Sequence, residues 1–348
     1  MMSNGLPPSA WRPLLDELQR DVPFLITTHA NPEADAVGAS LGLYYLLQKL
    51  GRRARIVLEE PLYDSLKYLD PDRVCRSYLP ERRLELLPGE VHWLLDAGYM
   101  HRLGKLEEPL RAHSMRRLCL DHHVGNGDGF DVALIDTGAS STGLLVAELW
   151  DACGVTFTLE AARVLYSAIA TDTGWYRFSN TDGRTLRMAA RFLDMGVSSE
   201  AAYGEYREFR SWPAMRVIVA AMQTLAAKLD GRLALFYITE ESIRREGISY
   251  SELEGVVEVP RIVRDVEVIA LVVELSPTRC KLNFRSKGGV DVNKIAGRFG
   301  GGGHVRAAGA KVEMPLPQVL ERIEWEVAQE LAASHRSQGN RSPDSAGA

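Results

Sequence analysis

Cysteine is sparse and unpaired in this chain: Cys75, Cys119, Cys153 and Cys280 are scattered, with no CxxC element among them. That excludes a thiolate zinc site and any disulfide framework. Cys119, inside an apolar run, reads as a buried free thiol of a reducing compartment. Positive charge is not in excess either. The formal net charge is −5, so no broad basic face is available for long duplex nucleic acid. A small anionic substrate, held by a few arginines and metals, stays open. No apolar run approaches the length of a membrane span, and Met1 to Trp11 lacks the apolar core of a signal peptide. The expected location is cytoplasmic, without membrane association. No internal repeat is present. What the chain does have is length and apolar content: 348 residues, 46% hydrophobic, enough for two well-buried domains.

From Pro23 to about Met195, short apolar runs alternate with helical segments. Phe24–Thr28 runs into His29, followed by Glu33 and Asp35. Val91–Leu95 runs into Asp96, and Arg117–Leu120 into Asp121-His122-His123. Ala36–Leu50 reads as a helix stopped by Gly51, and Arg55–Leu58 as the next strand. Strand, helix and strand at this spacing form a βαβ unit, which predicts an α/β fold with a parallel sheet. Ser140-Ser141-Thr142 reads as a helix N-cap leading into Gly143–Trp150. Leu159–Ala170 is a further helix, with Asp172 just beyond it.

Ser198–Asp230 reads as helical and connecting, with Met215, Val219, Met222 and Leu225 on one face. A second, strand-rich unit follows. It comprises a strand at Leu233–Ile238, a hairpin of Val266–Leu275 with Arg279–Phe284, and a short helix at Asn293–Phe299. Next come Gly300–Gly303, His304 opening another short helix, a strand near Ala310–Glu313 and a last helix at Leu316–Ala333. The expected domains are residues 1–200, a helical linker 201–230, a smaller α/β domain 231–334 and a polar, disordered tail 335–348.

In a parallel sheet the carboxyl ends of the strands share one edge, where ligands collect. His29, Glu33, Asp35, Asp96, His122 and Asp172 would bring two imidazoles and four carboxylates there. Any one of them alone reads as a cap or a solvated group; three such clusters behind three apolar runs read as a metal centre. The set exceeds the needs of one structural zinc and suits two divalent ions, Mn²⁺ or Mg²⁺, with Asp96 as the bridge. Two such ions suit hydrolysis of a phosphate ester or anhydride. In the second unit, the backbone of Gly301, Gly302 and Gly303 could approach and cradle an anion, with His304 at a helix start beside it. Taken alone, the glycines would read as a flexible linker. Arg285-Ser286 would offer a guanidinium fork and a hydroxyl to the same oxygens. Arg102 reads equally as a phosphate contact or a surface charge, and Asp136 as a turn residue before Gly138.

The set His29-x₃-Glu33-x-Asp35, Asp96, Asp121-His122-His123 and Asp172 resembles the motifs of the DHH phosphoesterase superfamily. Gly300–His304 with Ala307-Ala308-Gly309 resembles the GGGH signature of its associated C-terminal domain. The nearest likeness is to the bacterial nano-RNase and pAp phosphatase subfamily, NrnA-like and RecJ-related, over roughly residues 10–334. The resemblance implies one ion on His29, Glu33 and Asp96, and another on Asp35, Asp96, His122 and Asp172. It further implies that His123 faces the scissile phosphate, with Asp121 orienting the pair. The ions would be Mn²⁺, with Mg²⁺ or Co²⁺ as substitutes, and the glycine-rich loop would bind the nucleotide end of the substrate across a cleft between the domains. Expected substrates are short RNA or DNA oligonucleotides, cut to mononucleotides, and 3′-phosphoadenosine 5′-phosphate, cut to AMP; a homodimer is compatible with this. Glu33 departs from the aspartate usual at its position, a donor one methylene longer. Rival readings are a cyclic dinucleotide phosphodiesterase, an inorganic pyrophosphatase (which lacks the glycine-rich loop) and a non-catalytic, metal-stabilised nucleotide-binding protein.

Overall fold

Short runs, most of them aliphatic, form the strands of the first unit. In the computed structural model these are β1 (Phe24–Thr28), β2 (Ala54–Leu58), β3 (Cys75–Ser77), β4 (Val91–Leu95), β5 (Arg117–Asp121) and β6 (Val132–Ile135). The structure describes residues 5–79, 83–125, 127–208, 210–253, 255–287 and 289–339, with the backbone alone at 304 and 335–339. Two units divide between residues 208 and 209.

In the first unit all strand pairs are parallel, in the order β3-β2-β1-β4-β5-β6. Every residue of β1 and β4 is buried, as continuous apolar runs require when both sheet faces are covered. One face carries Phe24, Ile26, Trp93 and Leu95 in the larger core. That core packs under α1 (Pro8–Leu18), α2 (Ala34–Lys49), α4 (Thr142–Ala152), α5 (Leu159–Asp172) and α6 (Gly183–Asp194). The other face places Leu25, Val57 and Leu94 against Met100, Leu103, Leu106 and Leu110, the last of these in α3 (Glu107–Arg111). The strand order reverses between β1 and β4, so a crevice opens past their carboxyl ends.

His92, in β4, is fully buried and shares a 2.7 Å hydrogen bond with Thr27 Oγ1 of β1. Burial, reinforced by the charge of Arg117, lowers its pKa from 6.5 to about 3. Its folded-state pKa lies below its unfolded value, so its contribution to stability is complete above about pH 6.5 and is lost as pH falls towards 3. Relative to His92→Gln, the wild-type chain should lose about 1.4 kcal/mol more per pH unit in that window. Urea titrations of both proteins across the range check this; parallel pH profiles would refute it.

The second unit holds a mixed sheet of β7 (Ala226–Lys228), β8 (Leu233–Ile238), β9 (Val268–Ser276), β10 (Arg279–Ser286), β11 (Gly302–His304) and β12 (Ala307–Val312). Its order is β11-β12-β10-β9-β8-β7, with β8 and β9 parallel and the other neighbouring pairs among the described residues antiparallel. Along β8, Leu233 and Leu235 face one core with Val319 and Ile323, while Ala234, Phe236 and Ile238 face another with Val217 and Ile218. This is the two-residue period of a sheet covered on both sides.

Five expectations need correction. Asp172 is the last residue of α5 and does not lie beyond it. The connecting stretch is shared out: α7 (Ser199–Arg207) belongs to the first unit, whereas α8 (Trp212–Gln223) and β7 belong to the second. On α8 the expected face is turned outward, with Met215 and Val219 exposed, while Ala214, Val217, Ile218 and Ala221 are buried. Both stripes are apolar at helical spacing; the one with small alanines lies against the sheet. Residues 302–304 form a strand and open no helix, because a Cβ at 301 or 303 would meet the backbone of residues 307–310 within 3 Å. Only glycine lets this strand approach so closely. Finally, α11 (Leu316–Gly339) runs past the expected end at Ala333 and takes in 335–339 of the expected tail; residues 340–348 lie outside the described residues. The described residues of the second unit also include the α-helices α9 (Glu240–Glu246) and α10 (Val292–Gly297) and 3-10 turns at Tyr250–Leu253 and Val256–Ile262. Among the described residues no helix is long and apolar enough to cross a membrane.

Candidate metal centre

Each of three strands ends in a donor. His29 follows β1 and is buried. The turn after it passes through Asn31, whose φ of 55° lies in the left-handed region, and reaches Glu33 at the N-cap position of α2. Asp35, buried, sits in the first turn of that helix. Asp96 follows β4 at a φ of 58°, a conformation that costs most residues about 1 kcal/mol or more and that aspartate tolerates better than most. Asp121 closes β5. Its Oδ1 accepts the His122 N–H at 2.8 Å, the His123 N–H at 3.1 Å and His123 Nδ1–H at 2.9 Å.

Helix packing brings in the rest. Gly38 and Gly42 of α2 lie where a Cβ would strike Val164, Ala168 and Leu165 of α5, so the two helices meet nearly backbone to backbone. Asp35 stands one turn before Gly38 and Asp172 one turn after Ala168, and close packing sets them side by side. The N-terminus of α4 closes the site. The Thr142 and Gly143 N–H groups donate to the two oxygens of Asp35, each at 2.8 Å, and the Thr142 hydroxyl donates to Asp96 Oδ1 at 2.8 Å.

All six expected ligands come together. His29 Nε2 lies 3.3 Å from Glu33 Oε2 and 3.5 Å from Asp96 Oδ2. His122 Nε2 lies 3.6 Å from Asp96 Oδ1, 3.7 Å from Asp172 Oδ2 and 3.8 Å from Asp35 Oδ2. Ligand atoms about 2.1 Å from one ion stand roughly 3 to 3.5 Å apart, close to this spacing. His29 Nδ1–H donates to the Ala30 carbonyl at 2.8 Å and His122 Nδ1–H to the Ala139 carbonyl at 3.3 Å. These bonds fix the tautomer that turns each Nε2 lone pair inward, as metal-bound histidines require. Among the described residues, His29 Nε2, His122 Nε2 and Asp96 Oδ2 are buried without a hydrogen-bond partner, and such atoms are costly unless something charged completes them. The donor set fits divalent cations. Three groups of donors lie within 4.8 Å of one another: His29, Glu33, Asp96; Asp35, His122, Asp172; and Asp96, His122, His123. Asp96 belongs to two of them.

Electrostatics agrees with this fit. Burial, with the nearby charges of Asp96 and Asp172, pushes the Asp35 carboxyl well above its ordinary range. Burial also lifts Asp172 to about 7; the pull of His122 is outweighed with help from Asp96 and Glu33. Burial works against a charged His123, yet its bond to Asp121 and the neighbouring carboxylates raise it. So many carboxylates in one buried place attract positive charge.

Comparison with known proteins decides the family. Residues 23–169 match the DHH family, N-terminal domain, and residues 220–333 match the DHHA1 domain. The bifunctional oligoribonuclease and PAP phosphatase NrnA of Thermus thermophilus is 31% identical over 338 residues, covering 95% of this chain and 98% of its own. The protein of the same description from Bacillus subtilis is 25% identical, covering 83% of this chain and 89% of its own. The chain is a DHH-family phosphoesterase of the NrnA type. The crystal structure of an exopolyphosphatase-related protein from Bacteroides fragilis shares the fold, with a TM-score of 0.89 at 21% identity over 96% of this chain and all of that one. An exonuclease RecJ bound to manganese aligns with a TM-score of 0.50 at 14% identity, covering 93% of this chain and 96% of that one.

In this DHH phosphoesterase the remaining expected residues are placed less uniformly. Arg102 is exposed on the segment after Asp96, and its carbonyl accepts the Ala30 N–H at 2.7 Å, which ties it to the turn carrying His29. Asp136 accepts from Gly138 N–H at 2.9 Å and from Arg184 at 2.7 Å, the turn role expected for it. In the DHHA1 unit, Arg285 is partly buried and its Nε donates to Glu258 at 2.8 Å. Ser286 is buried, with its hydroxyl donating to the Val305 carbonyl at 3.4 Å. Neighbours on a strand point to opposite faces, so the two do not serve the same oxygens as expected. Gly301 precedes β11 and Gly302 and Gly303 lie in it, while the His304 side chain lies outside the described residues. Glu33 is half exposed and reaches His29 despite its extra methylene. Sequence reasoning missed Thr142 and Gly143 as site residues. Their signal, an N-cap run directly ahead of a helix, had an adequate local explanation.

Proposed function

We propose that this phosphoesterase uses two divalent cations, Mn²⁺ foremost, to hydrolyse short oligoribonucleotides to mononucleotides and 3′-phosphoadenosine 5′-phosphate to AMP. The observation that carries it is Asp96, whose two oxygens face different donor groups: Oδ2 towards His29, Oδ1 towards His122 and His123. The substrates follow from the Thermus and Bacillus relatives, described as oligoribonuclease and PAP phosphatase. Bound there, two divalent ions would provide a nucleophile at neutral pH and neutralise charge on the phosphoryl oxygens. His29, Glu33 and Asp96 would hold one, and Asp35, Asp96, His122 and Asp172 the other. The protein's own groups do the remaining work. Asp121 takes His123 Nδ1–H and fixes the ring, which makes Nε2 the nitrogen that meets the scissile phosphate and delivers a proton to the leaving oxygen. Arg102 draws in a phosphate of the substrate from the rim of the first unit. In the second unit, Arg285, the backbone of Gly301, Gly302 and Gly303, and His304 are the groups suited to a nucleotide phosphate.

The test is a substrate panel with Mn²⁺: a dinucleotide, a pentanucleotide, a long single-stranded RNA, 3′-phosphoadenosine 5′-phosphate, cyclic di-AMP and pyrophosphate, scored for mononucleotide and phosphate release. Fast turnover of the short RNAs and of 3′-phosphoadenosine 5′-phosphate is expected. Equal rates on dinucleotide and long RNA would remove the short-chain preference. Metal uptake with no turnover of anything would make the chain a binding protein.

A further inference from the structure

We propose that Thr142 is a positioning residue that sets Asp96 in its bridging orientation, an inference resting on the two-ion reading above. A carboxylate shared by two donor groups must present one oxygen to each, and rotation about its terminal bond is otherwise soft. In this structure one contact removes that freedom. The Thr142 hydroxyl donates to Asp96 Oδ1 at 2.8 Å, while Oδ2 has no hydrogen bond among the described residues and lies 3.5 Å from His29 Nε2. Oδ1, held by the hydroxyl, stands 3.6 Å from His122 Nε2 and 3.4 Å from His123 Nδ1. The hydroxyl therefore decides which oxygen serves which donor group.

The same residue reaches the second carboxylate through its backbone, since its N–H donates to Asp35 Oδ2 at 2.8 Å. Thr142, Asp35 and Asp96 are all essentially inaccessible to water, so no solvent molecule replaces a lost donor. Gly143 completes the grip: its N–H holds Asp35 Oδ1, and a side chain there would strike Ala168 and crowd that oxygen. The start of α4 thus holds both the Asp35 and the Asp96 carboxylates. Bonds of this kind behind a ligand govern metal affinity about as strongly as many ligands do.

Thr142→Val keeps the shape and the backbone N–H but deletes the hydroxyl. Calorimetric titration of the full chain with Mn²⁺ should show affinity weakened by about tenfold to a hundredfold. Thr142→Ser, which keeps the hydroxyl, should bind like wild type. Equal Mn²⁺ affinity in wild type and Thr142→Val overturns the positioning role and leaves the functional reading standing. Wild type that takes up no Mn²⁺ sinks both. Should the valine variant fail to fold, the serine variant decides: wild-type affinity supports the role of the hydroxyl, and a loss of about tenfold or more would assign the effect to the methyl group instead.

Discussion

Asp96→Asn should reduce phosphoester hydrolysis by about a thousandfold or more while leaving the fold intact. Each divalent ion is worth several kcal/mol of transition-state stabilisation, and Asp96 lies in both the His29–Glu33 group and the His122–His123 group of donors. The substitution suits the site because it changes charge and little else. Asparagine is isosteric, and it is even more at ease than aspartate at a positive φ, so the backbone at 58° gains no strain. An amide oxygen could still accept from Thr142, but the nitrogen opposite His29 would offer a donor where an acceptor is needed. Release of mononucleotide from a short RNA is the assay, with circular dichroism as the check on folding. Turnover within tenfold of wild type would remove Asp96 from the centre of the mechanism.

The second large effect concerns stability. With chelator the protein should melt about 10 °C or more below its Mn²⁺-loaded form at about pH 8, and the gap should narrow at about pH 5. Two sites each filled at a hundredfold excess over Kd contribute about 2.7 kcal/mol apiece, and a unit of this size shifts by roughly 2–4 °C per kcal/mol. The pH dependence follows from the crowded acids. Burial, together with Asp96 and Glu33, places Asp172 at about 7 in the fold, and Asp35 moves in the same direction. A carboxyl whose folded pKa exceeds its unfolded value costs nothing below about pH 4. The cost then grows as pH rises towards 7 and stays constant above it. Cations offset that cost where it exists and compete with protons where it does not. Scanning calorimetry at both pH values measures the gap. A shift that is absent, or larger in acid, would contradict the arrangement.

Much of this centre was legible beforehand for a simple reason. A strand buried on both faces must be a continuous apolar run, so Phe24–Thr28, Val91–Leu95 and Arg117–Leu120 announce themselves, and whatever follows each run stands at the sheet's carboxyl edge. Asp172 was harder, since it belongs to a helix; the glycine pair Gly38 and Gly42, spaced one turn apart, was the unused clue to where that helix docks. The glycine-rich segment misled because glycines carry no side-chain period, and a strand built from them looks the same in sequence as a loop. On α8 two apolar stripes competed, and only the sheet beneath could choose between them.

The amino-acid order alone determined the donor set, the parallel sheet that collects it and the chemistry that four carboxylates and two imidazoles can support, because these depend on residue type and short-range spacing. Only the tertiary structure decided that the two Asp96 oxygens lie near different histidines, that the Thr142 hydroxyl donates to one of them, and that Ser286 turns inward while Arg285 does not. Orientation of that kind arises from contacts between segments about a hundred residues apart, such as Asp35 with Thr142, and no local pattern records them.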